Sequence, residues 1–202
     1  MKKTFLALAL SLGVAGAAQA QSAHFGVKAG ASLTNYTGKG AGDNDYKFGF
    51  NGGFLANFAV NDVFSIQPEV LYSMKGAKAD ETIGGTKLTQ KQTLHYIDVP
   101  VLAHINAGGL FFELGPQIGF LAAAKESLEA NGQSASQDIK DQAKTVDFGY
   151  AAGLGYQMMN GPGIGLRYNG GFTDINKNNS NSDNAVRNGA FQLYLTYMFG
   201  GK

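Results

Sequence analysis

Few side chains in this sequence have the chemistry of a catalytic site. His24, His95 and His104 are the only imidazoles of the 202-residue chain, and cysteine is absent. The serines and acids near each histidine are not at a spacing that identifies a catalytic triad, which is defined by geometry. The Gly-x-Ser-x-Gly, His-Glu-x-x-His and phosphate-loop motifs are also missing. The sequence therefore predicts a protein that is not an enzyme and binds no cofactor.

Composition excludes several further classes of site. Without cysteine there is no disulfide framework, thiolate metal site or lipidated cysteine. The formal net charge of +1 gives no general case for nucleic-acid binding. The Gly-rich segment 153–165 precedes no helix, so it does not indicate a nucleotide site. Asp43, Asp45 and the pair Asp80-Glu81 are expected to be solvated acids, and no metal site is predicted.

Charged residues at regular positions give a more specific signal. Six of them fall on the polar side of alternating segments: Lys28, Glu69, Asp98, Glu113, Asp147 and Arg167. Counted from one end of their segments, all but Asp147 lie at broadly similar depths. If these segments line one interior, the charges must pair, because a buried unpaired charge is costly. Arg167 is the predicted hub, since its guanidinium can hold two carboxylates.

The elements that position these charges are β-strands with two different faces. In the last one, Phe191, Leu193, Leu195, Tyr197 and Phe199 alternate with a mixed, mostly polar set, the period of a strand. Seven earlier segments repeat the pattern. The predicted strands are 24–33, 46–60, 63–74, 93–105, 110–123, 145–158, 164–175 and 191–199.

The connections between these strands alternate in length. The predicted long loops are 34–45, 75–92, 124–144 and 176–188, and short turns separate the other strands. Strands of around 10 residues or more match a tilted crossing of a bilayer, and short periplasmic turns with long external loops are typical of outer-membrane barrels. The fold predicted is all-β, an eight-stranded antiparallel up-and-down transmembrane β-barrel. Closure requires the segment 24–33 to pair with the last strand.

The N-terminus has the layout of a secretory signal peptide. Lys2 and Lys3 precede an apolar run from Phe5 to Ala18, and Ala18-Gln19-Ala20 supplies a small-x-small cleavage pattern. The domain prediction is a cleaved signal peptide over residues 1–20 and a barrel domain over residues 21–202.

An eight-stranded barrel has an interior just wide enough for side chains to fill. The five charges of similar depth would then form a structural network that plugs the lumen; a binding or catalytic site is the alternative. The sequence therefore predicts no open aqueous pore, although glycines at inward positions leave space for water. Pro68, Pro100 and Pro116 lie inside strands, and each should mark a bulge or a local break.

Three segments carry a resemblance to a known family. They are IQPEVLYSMKG (66–76), LHYIDVPVLAHI (94–105) and DIKDQAKTVDFGYAAGLGYQM (138–158), which include Pro68-Glu69 and Asp98-Val99-Pro100. The chain resembles the PorT-like outer-membrane β-barrel family over nearly its whole mature length. The resemblance implies an eight-stranded barrel in the outer membrane of a Bacteroidota-type bacterium. Members of this family are often labelled porin-like, and one branch assists protein secretion.

The function predicted is a structural or recognition role through the external loops, because loops on a rigid scaffold commonly carry function. A narrow channel or a protein-secretion accessory is the alternative. A third hypothesis is a soluble lipocalin-like barrel, which would turn Phe48, Phe50, Phe54 and Phe58 inward. The expected partners are outer-membrane lipid and the outer-membrane assembly machinery, with no nucleic acid, and the expected state is a monomer.

Overall fold

Ten strands and one 3₁₀ turn make up the part of the chain that the computed structural model describes, residues 22–158, 161–177, 179 and 184–199. The predicted signal peptide lies outside these residues. The 3₁₀ turn is Lys140–Gln142. The strands are β1 (Ser22–Thr37), β2 (Lys47–Ala59), β3 (Phe64–Lys75), β4 (Lys78–Ile83), β5 (Thr86–Ala107), β6 (Leu110–Ala130), β7 (Gln133–Asp138), β8 (Val146–Gln157), β9 (Pro162–Gly171) and β10 (Arg187–Phe199).

Eight of these strands form a closed antiparallel ring. The order around it is β5-β3-β2-β1-β10-β9-β8-β6, and pairing of β5 with β6 completes it. The predicted pairing of the first strand with the last is confirmed, with a register that runs from Phe25 opposite Phe199 to Thr37 opposite Arg187. Closure leaves no open strand edge within the ring, the condition for a sheet to cross a bilayer. In the described ranges, no helix has the length and apolar character needed to span a membrane.

The two faces of the ring differ in the way that period two predicts. Outward positions carry exposed apolar side chains; Phe48, Phe50 and Phe54 are 69%, 48% and 71% exposed. Inward positions carry buried polar side chains, such as Asn51 and Gln67. This polarity is opposite to that of a soluble barrel with an apolar cavity, so the lipocalin-like hypothesis is wrong.

The predicted loops 75–92 and 124–144 are mostly strand. Residues 78–83 form β4, which pairs with the first part of β5, and residues 133–138 form β7, which pairs with the last part of β6. β5 and β6 continue beyond the ring and stay paired as far as Leu88 opposite Ala130. We call this four-stranded sheet the external extension, because long connections lie on the outer side of such barrels. Both faces of the external extension are polar, so its strands lack the alternation of apolar and polar residues from which strands were predicted.

The other two long connections differ less from the prediction. β1 continues to Thr37, so the first connection is shorter than 34–45. Of the connection predicted at 176–188, residues 178 and 180–183 lie outside the described part of the chain. Residues 184–186 precede β10, which begins at Arg187.

Each interior proline coincides with a gap in one ladder and no change of register. Around Pro68, pairing of β2 with β3 stops after Leu55 opposite Glu69 and resumes at Phe58 opposite Ile66. Pro100 and Pro116 lie at similar two-residue gaps in the β3–β5 and β5–β6 ladders. A missing N–H explains a lost pair. The alternatives predicted were a bulge or a break, and the structure has breaks; the bulge of the β5–β6 ladder lies at His95 and Tyr96 instead.

The outer mouth of the ring is covered by an apolar cap. Ile139, after β7, and Ile175, after β9, are each 7% exposed and pack on residues that project from β5 and β6. The residues beneath them are Leu94, Tyr96, Leu121 and Ala124, with Tyr36, Ala143 and Val186 at the side. The cap therefore lies over the outer end of the polar interior.

Candidate functional site: the charged interior of the barrel

Four of the five charged residues predicted to lie at similar depths meet inside the ring. Lys28 projects from β1, Glu69 from β3, Glu113 from β6 and Arg167 from β9. All four side chains are at most 3% exposed as residues. Their strands lie on different sides of the ring, so the contacts cross the lumen. We call these residues and Tyr194 the Arg167 cluster.

Arg167 holds two carboxylates at once. Its Nη1 donates to Glu69 Oε2 at 2.7 Å, and its Nη2 to Glu69 Oε1 at 2.9 Å. On the other edge of the guanidinium, Nε donates to Glu113 Oε1 at 2.6 Å and Nη2 to Glu113 Oε2 at 2.7 Å. Both contacts are bidentate, the geometry in which arginine binds carboxylates most strongly and with the best defined orientation.

Lys28 and Tyr194 complete the cluster. The Lys28 Nζ donates to Glu69 Oε1 at 3.1 Å and lies 3.7 Å from the centroid of the Tyr194 ring. The Tyr194 hydroxyl donates to Glu113 Oε1 at 2.8 Å. Each carboxylate therefore has a partner beyond Arg167. Two cations and two carboxylates give formal charges of +2 and −2, which cancel.

The sequence missed Tyr194 as a member of the cluster. Tyr194 lies on the polar face of the last strand, between Gln192 and Thr196. That position on the inward face was the feature from which its place in the lumen could have been predicted. A buried tyrosine hydroxyl needs a hydrogen-bond partner. Its ring also supplies a face for the two cations, with the Arg167 Cζ at 5.2 Å from the centroid.

Asp98 lies outside the Arg167 cluster, in a second group nearer the cap. Its Oδ1 accepts from Lys75 Nζ at 2.9 Å, and Asp147 Oδ2 lies 3.8 Å from the same nitrogen. Asn188 Nδ2 donates to Asp147 Oδ2 at 2.8 Å. Lys75 also lies over the Tyr96 ring, beneath the cap. We call this group the Lys75 cluster; the sequence prediction had placed Lys75 in a loop.

Both clusters are networks of ion pairs. Their carboxylates are held by cations: Arg167 pairs with Glu69 and Glu113, and Lys75 pairs with Asp98. His104 is buried elsewhere, stacked 4.4 Å from the Phe111 ring centroid. His95 lies on the outward face of the ring, next to Tyr72. Within the described residues, no group of three or more histidine, aspartate or glutamate side chains is placed to hold a metal ion.

The acids of the external extension are paired rather than gathered into a site. Hydrogen bonds from Lys87 and Thr89 lower the pKa of Asp80 to about 2. Glu126 lies across the extension and accepts from Gln90 and Gln92 at 2.6 and 3.0 Å. These bonds hold the pKa of Glu126 below its ordinary value, against the opposing effect of burial.

A cleft of about 300 Å³ opens on the outer end of the molecule, beside the cap. Tyr36 lies on one wall, where its hydroxyl donates to Gln92 Oε1 at 2.9 Å. The rest of the lining mixes polar side chains, such as Asn44, Lys78, Gln90, Gln142 and Asn176, with apolar ones, such as Leu94, Ile139, Ile175 and Val186. The volume is at the lower end of the range for small-molecule sites, but the walls of such sites are commonly more apolar than this mixed lining.

The closed ring, its apolar outward face and its polar interior define an eight-stranded outer-membrane β-barrel. The family model described as outer membrane protein beta-barrel domain matches residues 18–177, and the chain belongs to this family. The protein is therefore located in the cell outer membrane and surrounded by its lipid.

Solved structures have the same fold. Neisserial surface protein A is 17% identical, with a TM-score of 0.53, and the match covers 89% of this chain and all of that one. Ail, the attachment invasion locus protein of Yersinia pestis, is 15% identical with a TM-score of 0.50, again over 89% of this chain and all of that one. No protein of curated function matches the chain.

Proposed function

We propose that this barrel is a rigid platform whose external segments recognise a ligand outside the cell, and that its lumen conducts nothing. The observation that carries the proposal is the contrast between the two parts of the molecule. The Arg167 cluster crosses the lumen with side chains that are 0% exposed. The external extension, in contrast, stands clear of the ring next to an accessible cleft.

The Arg167 cluster serves in this proposal as a structural plug. It joins β1, β3, β6 and β9 across the interior, and its bidentate contacts fix their relative heights. A narrow channel, the alternative function, would need a wet path past these ion pairs and then past the cap. We also assign no catalytic role to the chain, and we expect it to act as a monomer after insertion by the assembly machinery.

The PorT-like subgroup and a Bacteroidota-type source belong to the same proposal, on the basis of segments 66–76, 94–105 and 138–158. A secretion accessory, the function of one PorT-like branch, is the alternative to ligand recognition. The two functions predict different effects of a deletion. Ligand recognition is lost when the external extension is removed. A secretion role predicts that secreted protein stays inside the cell when the whole barrel is deleted.

The test removes the external extension and leaves the ring intact. Because Ala79 pairs with Gln90 and Glu126 pairs with Gln137, each hairpin can be rejoined across these pairs by an Asn-Gly turn. Cells that display the wild-type or shortened chain are incubated with panels of polysaccharides and extracellular proteins. We expect capture by the wild-type cells and its loss in the shortened variant, with heat resistance of the folded ring retained.

A matched control changes the short turn at Asn61-Asp62, on the opposite end of the ring. We expect that variant to keep both capture and heat resistance. Equal capture by shortened and wild-type cells, or secretion defects without any capture, would contradict the recognition proposal.

A further inference from the structure

A small polar cavity lies inside the ring, beside the Lys75 cluster, where β8, β9 and β10 adjoin. Its volume is about 10 Å³, room for one water-sized occupant. Gly149 on β8 and Gly171 on β9 are register partners on inward positions and contribute no side chain to fill it. Its polar lining comes from Asp147, Asn169 and Asn188, with Lys75 and Gln117 alongside.

Three oxygen atoms of this lining have no protein hydrogen-bond partner among the described residues. They are Asp147 Oδ1, Asn169 Oδ1 and Asn188 Oδ1, and their residues are 4%, 5% and 3% exposed. The amide nitrogens of the two asparagines are already engaged, Asn188 with Asp147 and Asn169 with Gln117. Lys75, the charged donor of the lining, donates to Asp98, so the unpartnered atoms around the cavity are acceptors. A buried polar group without a partner costs about 1–3 kcal/mol.

The occupant that satisfies this lining is positively charged. A water molecule has two protons and cannot donate to three acceptors, whereas a hard cation is bound by carboxylate and carbonyl oxygens together. The adjoining charges favour the cation as well. Lys75 contributes +1 and Asp98 and Asp147 contribute −1 each, so the Lys75 cluster has a formal charge of −1, while the Arg167 cluster is neutral.

We propose that the cavity between Gly149 and Gly171 is a binding site for a single monovalent cation, with Na⁺ the physiological occupant, held by Asp147, Asn169 and Asn188. A single positive charge makes the Lys75 cluster neutral, and the small volume admits the ion without its hydration shell. The site would tie β8, β9 and β10 together below the cap. It is independent of what the external segments recognise.

The test measures thermal stability of the folded barrel in detergent while NaCl replaces choline chloride at constant ionic strength. A ligand that binds only the folded state raises the melting temperature with its concentration. We expect a saturable rise for the wild-type chain and no rise for Asp147→Asn. Glu129→Gln is the matched control, since Glu129 pairs with Lys91 on the external extension, and it should respond to Na⁺ as the wild type does.

Gly171→Ala provides a second variant that keeps every charge. A Cβ at this position would lie 3.3 Å from Asp147 Oδ1 and 3.2 Å from the Asn188 backbone, so it fills space that the ion would use. We expect Gly171→Ala to need a higher Na⁺ concentration than the wild type for half of the rise in melting temperature. We also expect the ²³Na resonance to be narrower with this variant than with the wild-type chain. A wild-type melting temperature that is equal in NaCl and choline chloride, or an equal Na⁺ response in Asp147→Asn, would overturn the proposal.

Discussion

Replacement of Arg167 by leucine tests whether the Arg167 cluster holds the barrel together. The change removes four hydrogen bonds, and among the described residues it leaves Glu69 and Glu113 with Lys28, Gln67 and Tyr194 as partners. The cluster then has one cation and two carboxylates, a formal charge of −1 in a region that water does not reach. Loss of one partner from a buried ion pair costs about 3–5 kcal/mol.

The chain has no tryptophan, so far-ultraviolet circular dichroism and heat-dependent gel mobility are suitable readouts of unfolding. Arg187→Leu is the matched control: it makes the same chemical change at the outer end of β10, where the Arg187 side chain donates to the Phe172 carbonyl oxygen. We expect an effect of about 0.5 kcal/mol or less there, as for most surface substitutions.

A compensating variant separates lost charge balance from lost packing. Arg167→Leu combined with Glu113→Gln brings the formal charge of the cluster back to zero. We expect this double variant to recover part of the stability, because the uncompensated carboxylate is gone. If Arg167→Leu unfolds at the same denaturant concentration as Arg187→Leu, the cluster does not hold the ring and the reasoning is refuted.

Three further predictions concern other parts of the molecule. Leu193→Lys, at the midpoint of β10 on the lipid face, should destabilise the inserted barrel by about 2–4 kcal/mol, whereas Tyr197→Lys near the strand end should cost about 0–1 kcal/mol; equal urea midpoints would contradict the assigned lipid face. Ile139→Asp should detach the cap, so that trypsin cleaves after Lys140 while the ring stays heat-resistant; unchanged trypsin resistance would count against the cap. Glu126 has a lowered pKa, so it stabilises the external extension above pH 4.5 and loses this effect as pH falls through the lowered pKa. The difference in hydrogen exchange between the wild type and Glu126→Gln should therefore be full at pH 6 and should shrink as the pH falls through the lowered pKa of Glu126. A difference that grows as the pH falls would have the wrong sign.

The ring could be predicted from the sequence because lipid and lumen impose opposite chemistry on alternate residues. Phe191 to Phe199 shows this directly, and the pairing of β1 with β10 then follows from closure. The external extension has no such contrast. Its strands β4 and β7 have water on both sides, so residues 78–83 and 133–138 have the composition of loops.

The partners of the interior charges were harder to predict than their presence. Residues counted to equal depth on separate strands do not lie at equal height, because strands of a closed barrel are tilted and staggered. Asp98 was therefore expected beside Arg167, whereas it lies beside Lys75. The cap was missed for another reason: Ile139 is an isolated apolar residue in a polar segment, and Ile175 was assigned to the end of the predicted strand 164–175, whereas β9 ends at Gly171.

Conductance of the purified, folded barrel in a planar bilayer tests the central claim that side chains close the lumen. The Arg167 cluster and the cap lie in series across the interior, so we expect no stable current steps in KCl solution for the wild-type chain. The same recording on Ile139→Asp should also stay silent, because the Arg167 cluster remains in place. Stable, large single-channel steps from the wild-type barrel would contradict the claim and favour the channel alternative.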